Sequence, residues 1–154
     1  MKIAIGKKMP SFIAKATNDL TITNKELSGE KIIFYFYPKD DTPGCTIEGQ
    51  DFSKYYNKFK KLNAEIYGVS RDSIKMHEKF KEKFNFPFNL ISDSDEKLCN
   101  IFDVIKEKNM YGKKYMGIER STFILDENQK LIKEWRKVKV KDHVEEVINT
   151  IKNL

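Results

Sequence analysis

The stretch Lys31 to Tyr37, "KIIFYFY", is the feature that most restricts what this chain can become. Its β-branched and aromatic residues are apolar on both faces, so it reads as a strand covered on both sides, and Pro38 ends it. A strand buried twice needs two covering layers. Helical spacing supplies them: from Thr46 onward, Phe52, Tyr55, Tyr56, Phe59 and Leu62 recur at a period that predicts an amphipathic helix. "AEIYGVS", Ala64 to Ser70, predicts a second strand. A helix then carries Ile74, His77, Phe80 and Phe84 on one face, and Pro87 is expected to stop it before the short apolar run "FNLI". Asp93 and Glu96 read as a cap-and-reply pair opening a helix with Leu98, Ile101 and Phe102. Ser121 to Trp135 reads as a β-hairpin around the polar residues Asp126 to Gln129, and Val144, Val147, Ile148 and Ile151 mark a last helix.

Strand-helix-strand crossovers imply parallel pairing and the hairpin adds antiparallel pairing. The expected class is therefore α/β, a central mixed β-sheet flanked by helices. With 154 residues and no repeat, low-complexity tract or linker, residues 1–154 are expected to form a single domain.

Charge is less informative than it looks. The formal net charge is +6, which suggests nucleic acid or an anionic membrane, but the lysines are interleaved with Asp and Glu as on a solvated helix face. No nucleic-acid partner and no membrane partner are expected. "MKIAIGKKMPSF" lacks a signal-peptide core, and no apolar run could span a bilayer, so a cytoplasmic location is expected. The two cysteines, Cys45 and Cys99, match neither a disulfide framework nor a metal spacing, and His77 and His143 stand alone, so neither a metal nor a cofactor is expected. His77 reads as a packing residue on its helix stripe, His143 as solvated.

The chemistry points to "DTPGCT". Thr42 suits an N-cap, Pro43 suits the first helical position, and Gly44 leaves the backbone accessible, so Cys45 falls at the third position. A sulfur there meets unpaired N–H groups and the positive end of a helix dipole, and both favour the thiolate over the thiol. A core cysteine would need apolar neighbours. This one has Asp40, Asp41, Thr42, Pro43, Gly44, Thr46 and Glu48 in a strand-to-helix loop.

Pro38, Thr42 and Cys45 fit the Pro-x-x-x-Thr-x-x-Cys signature of peroxiredoxins, and "FYFYPKDDTPGCTIEGQDF" resembles the bacterioferritin-comigratory, or peroxiredoxin Q, subfamily. "YGVSRDS", "NLISDSDEKLC" and "YMGIERSTFILDENQKL" extend the resemblance over most of the chain. It implies a thioredoxin-like fold and thiol-dependent reduction of hydrogen peroxide and organic hydroperoxides. It further implies that Cys45 is the peroxidatic nucleophile, that Thr42 and nearby N–H groups hold the peroxide, that Pro38 shields the sulfur, and that Arg120 bonds sulfur and peroxide. Only three arginines occur, and Arg71 and Arg136 read as surface residues. Glu48 either orients Arg120 or lies on a solvated face.

Many members of the subfamily carry a second cysteine five positions after the first, where this chain has Gln50. Either Cys99 resolves the sulfenic acid or an outside thiol, such as thioredoxin or glutaredoxin with glutathione, reduces it; Cys99 also reads as a packing residue. A monomer or weak homodimer is expected. A thioredoxin-type disulfide reductase would need the Cys-x-x-Cys pair this chain lacks, and a basic interaction module with an incidental cysteine is the non-enzymatic alternative.

Overall fold

The structure, a computed structural model, describes residues 2–154. In chain order the elements are β1 (Ile13–Ala16), β2 (Leu20–Thr23), α1 (Asn24–Leu27), β3 (Lys31–Phe36), α2 (Pro43–Lys54), α3 (Tyr56–Lys61), β4 (Ala64–Ser70), α4 (Ile74–Phe84) and β5 (Asn89–Ser92). These are followed by α5 (Lys97–Ile101), β6 (Ile105–Met110), β7 (Lys113–Ile118), β8 (Ser121–Leu125), β9 (Leu131–Trp135) and α6 (His143–Lys152).

Seven strands form one sheet in the order β2-β1-β5-β4-β3-β8-β9. Strands β3, β4 and β5 are parallel, while β8, β9, β1 and β2 join antiparallel. The sheet is mixed, as the alternation of elements requires. The "KIIFYFY" strand is central, with β4 on one side and β8 on the other. Its residues alternate between two separate cores. Ile33, Tyr35 and Tyr37 face a layer formed by α2, α3, α4 and α6, whereas Ile32, Phe34 and Phe36 face α1, α5 and the N-terminal segment. The aromatic residues lock both layers: Tyr35 stacks on Phe52 at 4.5 Å, and Phe102 tilts against Phe123 at 4.6 Å. Each fully buried ring of this kind contributes about 2 kcal/mol through removal from water.

Several local expectations are corrected. The predicted helix through Leu62 is two helices, because the chain breaks at Tyr55 between α2 and α3. Helix α4 ends before Pro87: Asn85 takes the left-handed conformation at φ 58° and closes it. At α5 only half of the cap-and-reply pair exists. The Asp93 carboxylate accepts from the amides of Leu98 and Cys99 at 2.9 and 2.8 Å, but Glu96 is itself the left-handed N-cap and gives its side chain to Arg71. Two hairpins were not anticipated, β1–β2 and the separate two-stranded β6–β7. In the second, the exposed residues Met110, Tyr111, Tyr115 and Met116 obscure any apolar-polar alternation.

A glycine lets helix α2 close against the segment that joins α4 to β5. A Cβ on Gly49 would stand 2.5 Å from Cζ of Phe86, so the ring would have to move to admit it. Among the described residues, no helix is long and apolar enough to cross a membrane.

Candidate active site

The α2 N-terminus has the arrangement that "DTPGCT" predicts, with one difference. Thr42 is the N-cap residue with extended backbone and Pro43 opens the helix, so Cys45 occupies the third helical position. The Thr42 hydroxyl, however, does not cap the helix. It donates to the Lys39 carbonyl at 2.9 Å and ties the loop to itself. With its hydrogen committed there, the oxygen is left as an acceptor for an incoming O–H group. The first-turn amides of Gly44 and Cys45 have no intrahelical acceptor.

Cys45 is buried, at 2% exposure. Arg120 reaches it from the residue just before β8: Nη2 donates to Sγ at 3.4 Å, and Nη1 donates to Glu48 Oε1 at 2.6 Å. One planar guanidinium thus spans a sulfur and a carboxylate that lie one turn apart on α2, a task a lysine ammonium could not do with the same fixed fork. Gly44 makes room for it, since a Cβ there would lie 3.1 Å from Arg120 Nη2. Pro38, half-buried, leads the chain out of β3 toward this loop.

The alternatives left open for Glu48 close here, because it is fully buried and paired rather than solvated. Burial raises its carboxyl pKa to about 7 even though Arg120 pulls the other way, and its second oxygen, Oε2, finds no hydrogen-bond partner. Burial also works against the Arg120 charge, but Glu48 and then Cys45 more than offset it, and the guanidinium pKa is raised.

Cys99 belongs elsewhere. It packs with Leu98, Ile101 and Phe102 in the core on the opposite face of the sheet from Cys45, with no exposed surface. Burial, and then the Asp93 carboxylate, push its thiol pKa far above that of an ordinary cysteine. Gln50 is exposed on α2.

Three further expectations change. His143 is buried rather than solvated; its Nε2 lies 2.8 Å from Thr122 Oγ1, and burial lowers its pKa to about 4 with help from Arg120. Arg136 is not a free surface residue, because it donates to the carbonyls of Phe102 and Asp103 at 2.8 and 2.9 Å. Arg71 is held between Glu96 and the Met116 carbonyl. His77 is buried on its helix stripe as expected, yet both ring nitrogens are bonded. Residues near the site that sequence reasoning missed include Lys108 of β6, half-buried, whose pKa is lowered by burial and by Arg120. Its signal would have been a lone lysine paired across β6–β7 with Tyr115, visible only once that hairpin is known.

Comparisons with known proteins point to one family. The AhpC/TSA family model matches residues 5–134. The chain belongs to the AhpC/TSA family. Peroxiredoxin Bcp of Bacillus subtilis is 52% identical over 154 residues, covering 100% of this chain and 98% of the relative. Peroxiredoxin Bcp of Xanthomonas campestris is 54% identical over 125 residues, 81% of this chain and 78% of the relative. Among solved structures, the Xanthomonas campestris bacterioferritin comigratory protein, described for its alkyl peroxide reduction activity, superposes with TM-score 0.88 at 48% identity, covering 92% of this chain and 90% of that one. A cysteine-to-serine variant of Xylella fastidiosa peroxiredoxin Q gives TM-score 0.94 at 41% identity over 99% of this chain and 98% of that one. This peroxiredoxin has the thioredoxin-like fold the resemblance implied and is a thiol-dependent peroxidase.

Proposed function

We propose that Cys45 is the peroxidatic residue and that the chain, acting as one domain, reduces hydrogen peroxide and alkyl hydroperoxides by a one-cysteine route. The observation that carries this reading is the 3.4 Å contact between Arg120 Nη2 and Cys45 Sγ, with Glu48 holding the other arm of the guanidinium at 2.6 Å. In the first step the thiolate attacks the nearer peroxide oxygen. A sulfur–oxygen bond forms, the oxygen–oxygen bond breaks, and the departing alkoxide takes a proton to leave as an alcohol, with Cys45 as sulfenic acid. Negative charge moves from sulfur to oxygen along that path. Arg120 and the first-turn amides supply donors on both ends, and the Thr42 oxygen accepts from the peroxide O–H. Pro38 limits access of water.

The position of Cys99 supports recycling by an outside thiol. With the second cysteine on the far face of the sheet, an external thiol attacks the sulfenic sulfur and water leaves; a second thiol then attacks the mixed disulfide and restores the Cys45 thiolate. Thioredoxin, or glutaredoxin with glutathione, supplies those thiols in a cytoplasmic setting, and the protein works as a monomer or weak homodimer. No step calls for a metal or an organic cofactor.

Peroxide consumption by the parent and Cys45→Ser tests the reading: the variant is expected to lose at least about a thousandfold in rate. A serine variant as fast as its parent overturns it. Mass spectrometry after one equivalent of peroxide should show a sulfenic acid or, with added thiol, a mixed disulfide on Cys45, and no Cys45–Cys99 bridge.

A further inference from the structure

Under the loop that carries Pro38, Thr42 and Cys45 lies a buried polar network that the chemistry above does not use. Asp40 is 3% exposed and His77 has no exposed surface. His77 Nδ1 lies 2.6 Å from Asp40 Oδ2, and Nε2 lies 2.9 Å from the Ile91 carbonyl. That carbonyl can only accept, so Nε2 carries a hydrogen. Two bare acceptors would repel at 2.6 Å, so a second hydrogen lies between Nδ1 and Oδ2. The other Asp40 oxygen accepts from the Tyr37 hydroxyl at 2.6 Å. The Asp40 amide donates to Asp72 Oδ2 at 2.9 Å, and the same Asp72 oxygen accepts from Ser70 Oγ at 2.6 Å. Asp40 is thus fastened to the end of β3, to α4, and to the turn after β4, with β5 reached through His77.

The network is not arranged as a metal site. Ligand atoms of Asp40, Asp72 and His77 lie within 4.8 Å of one another, but short hydrogen bonds already engage them. What the network holds is the backbone. Asp41, the next residue, takes φ 58°, so the chain turns sharply just beyond the anchor and enters α2. Fixing Asp40 therefore fixes where Thr42 and Cys45 stand relative to Arg120. The same restraint has a cost for recycling, because Cys45 is 2% exposed and a thiol cannot meet its sulfur until the first turn of α2 moves.

We propose that Asp40 and His77 are positioning residues whose buried hydrogen bond, completed by Tyr37, holds the Cys45 loop closed for attack on peroxide and thereby limits how fast an external thiol reaches the oxidised sulfur. The inference rests on the peroxidatic role of Cys45. It predicts opposite effects on the two half-reactions, which general destabilisation would not produce.

The test uses His77→Gln and Tyr37→Phe in single-turnover experiments. The oxidation rate is followed by rapid quench and mass spectrometry after one equivalent of peroxide, and the reduction rate by mixing the oxidised protein with 2-mercaptoethanol. Loss of a buried, charge-assisted hydrogen bond raises the open-to-closed ratio of the loop roughly tenfold, a factor divided between the half-reactions, so His77→Gln should be reduced up to roughly tenfold faster and oxidise more slowly by a smaller factor. Tyr37→Phe, which removes one hydroxyl and keeps the ring in place, should move both rates in the same directions, with reduction faster by up to about threefold. Amide exchange over residues 39–46 should quicken in both variants, with the strands unchanged. Rates that fall together, or a reduction rate at the parental value, overturn the proposal, and Tyr37→Phe decides the case if His77→Gln does not fold. If Cys45→Ser retains peroxidase activity, the peroxidatic reading fails first and the proposal falls with it, an outcome distinct from equal changes in the two half-reactions.

Discussion

The two cysteines are almost equally buried, at 2% for Cys45 and 0% for Cys99, yet opposite charges face them. Cys45 sits at a helix N-terminus with a guanidinium 3.4 Å from its sulfur. Cys99 sits in the first turn of α5, which could have given it the same dipole, but the Asp93 carboxylate caps that turn and stands beside the thiol. Burial alone does not decide whether a thiol reacts. The sign of the nearest fixed charge does, and a cap that serves the helix can silence the sulfur.

The sharpest way to break this comparison is selective alkylation. Iodoacetamide at neutral pH should label Cys45 at least about a hundredfold faster than Cys99, as peptide mapping would show, because only thiolates react and burial with Asp93 keeps Cys99 protonated. Equal labelling would refute the contrast. Next in size is Arg120→Met, expected to lower the second-order rate with peroxide about a hundredfold in stopped-flow measurements; Arg120→Lys should recover little of it, since an ammonium cannot bond Sγ and Glu48 in the same plane. Gly44→Ala should cost about tenfold, because its Cβ would displace Arg120 Nη2 from a 3.1 Å gap.

Glu48 sharpens the contrast through pH. Its folded pKa of about 7 lies above the ordinary value of 4.5, so the native state holds that proton more tightly than the unfolded chain. The stability this provides is complete below about 4.5 and is lost as pH rises toward 7. The urea midpoint of the parent relative to Glu48→Gln should therefore fall between pH 5 and pH 8, because the opposite contribution of His143, whose lowered pKa favours folding at higher pH, is common to both and cancels in the difference. The smallest effect belongs to Cys99→Ala. It should leave the peroxide rate unchanged and cost about 1 kcal/mol in denaturant unfolding, the size expected for a small cavity in the core.

Much of this was legible in the sequence, for reasons that can be named. "KIIFYFY" showed a doubly covered strand because both its faces are apolar, and "DTPGCT" placed Cys45 because Thr suits the N-cap and Pro the first helical position. The pairing of Arg120 with Glu48 came from resemblance alone. Seventy-two positions separate them, and no local pattern reports such a contact. His143 and Arg136 were misread because a polar residue beside a loop looks solvated until the layer that covers it is known. The Asp40–His77 network was invisible for the same reason, as its members come from three separate segments.

The placement of the two sulfurs on opposite faces of one sheet has a practical outcome. The sheet acts as an insulator between them, so under the role proposed for Cys45 oxidation leaves a single electrophilic atom per chain. A covalently joined band on a non-reducing gel is then expected to be linked through Cys45 and to vanish in Cys45→Ser.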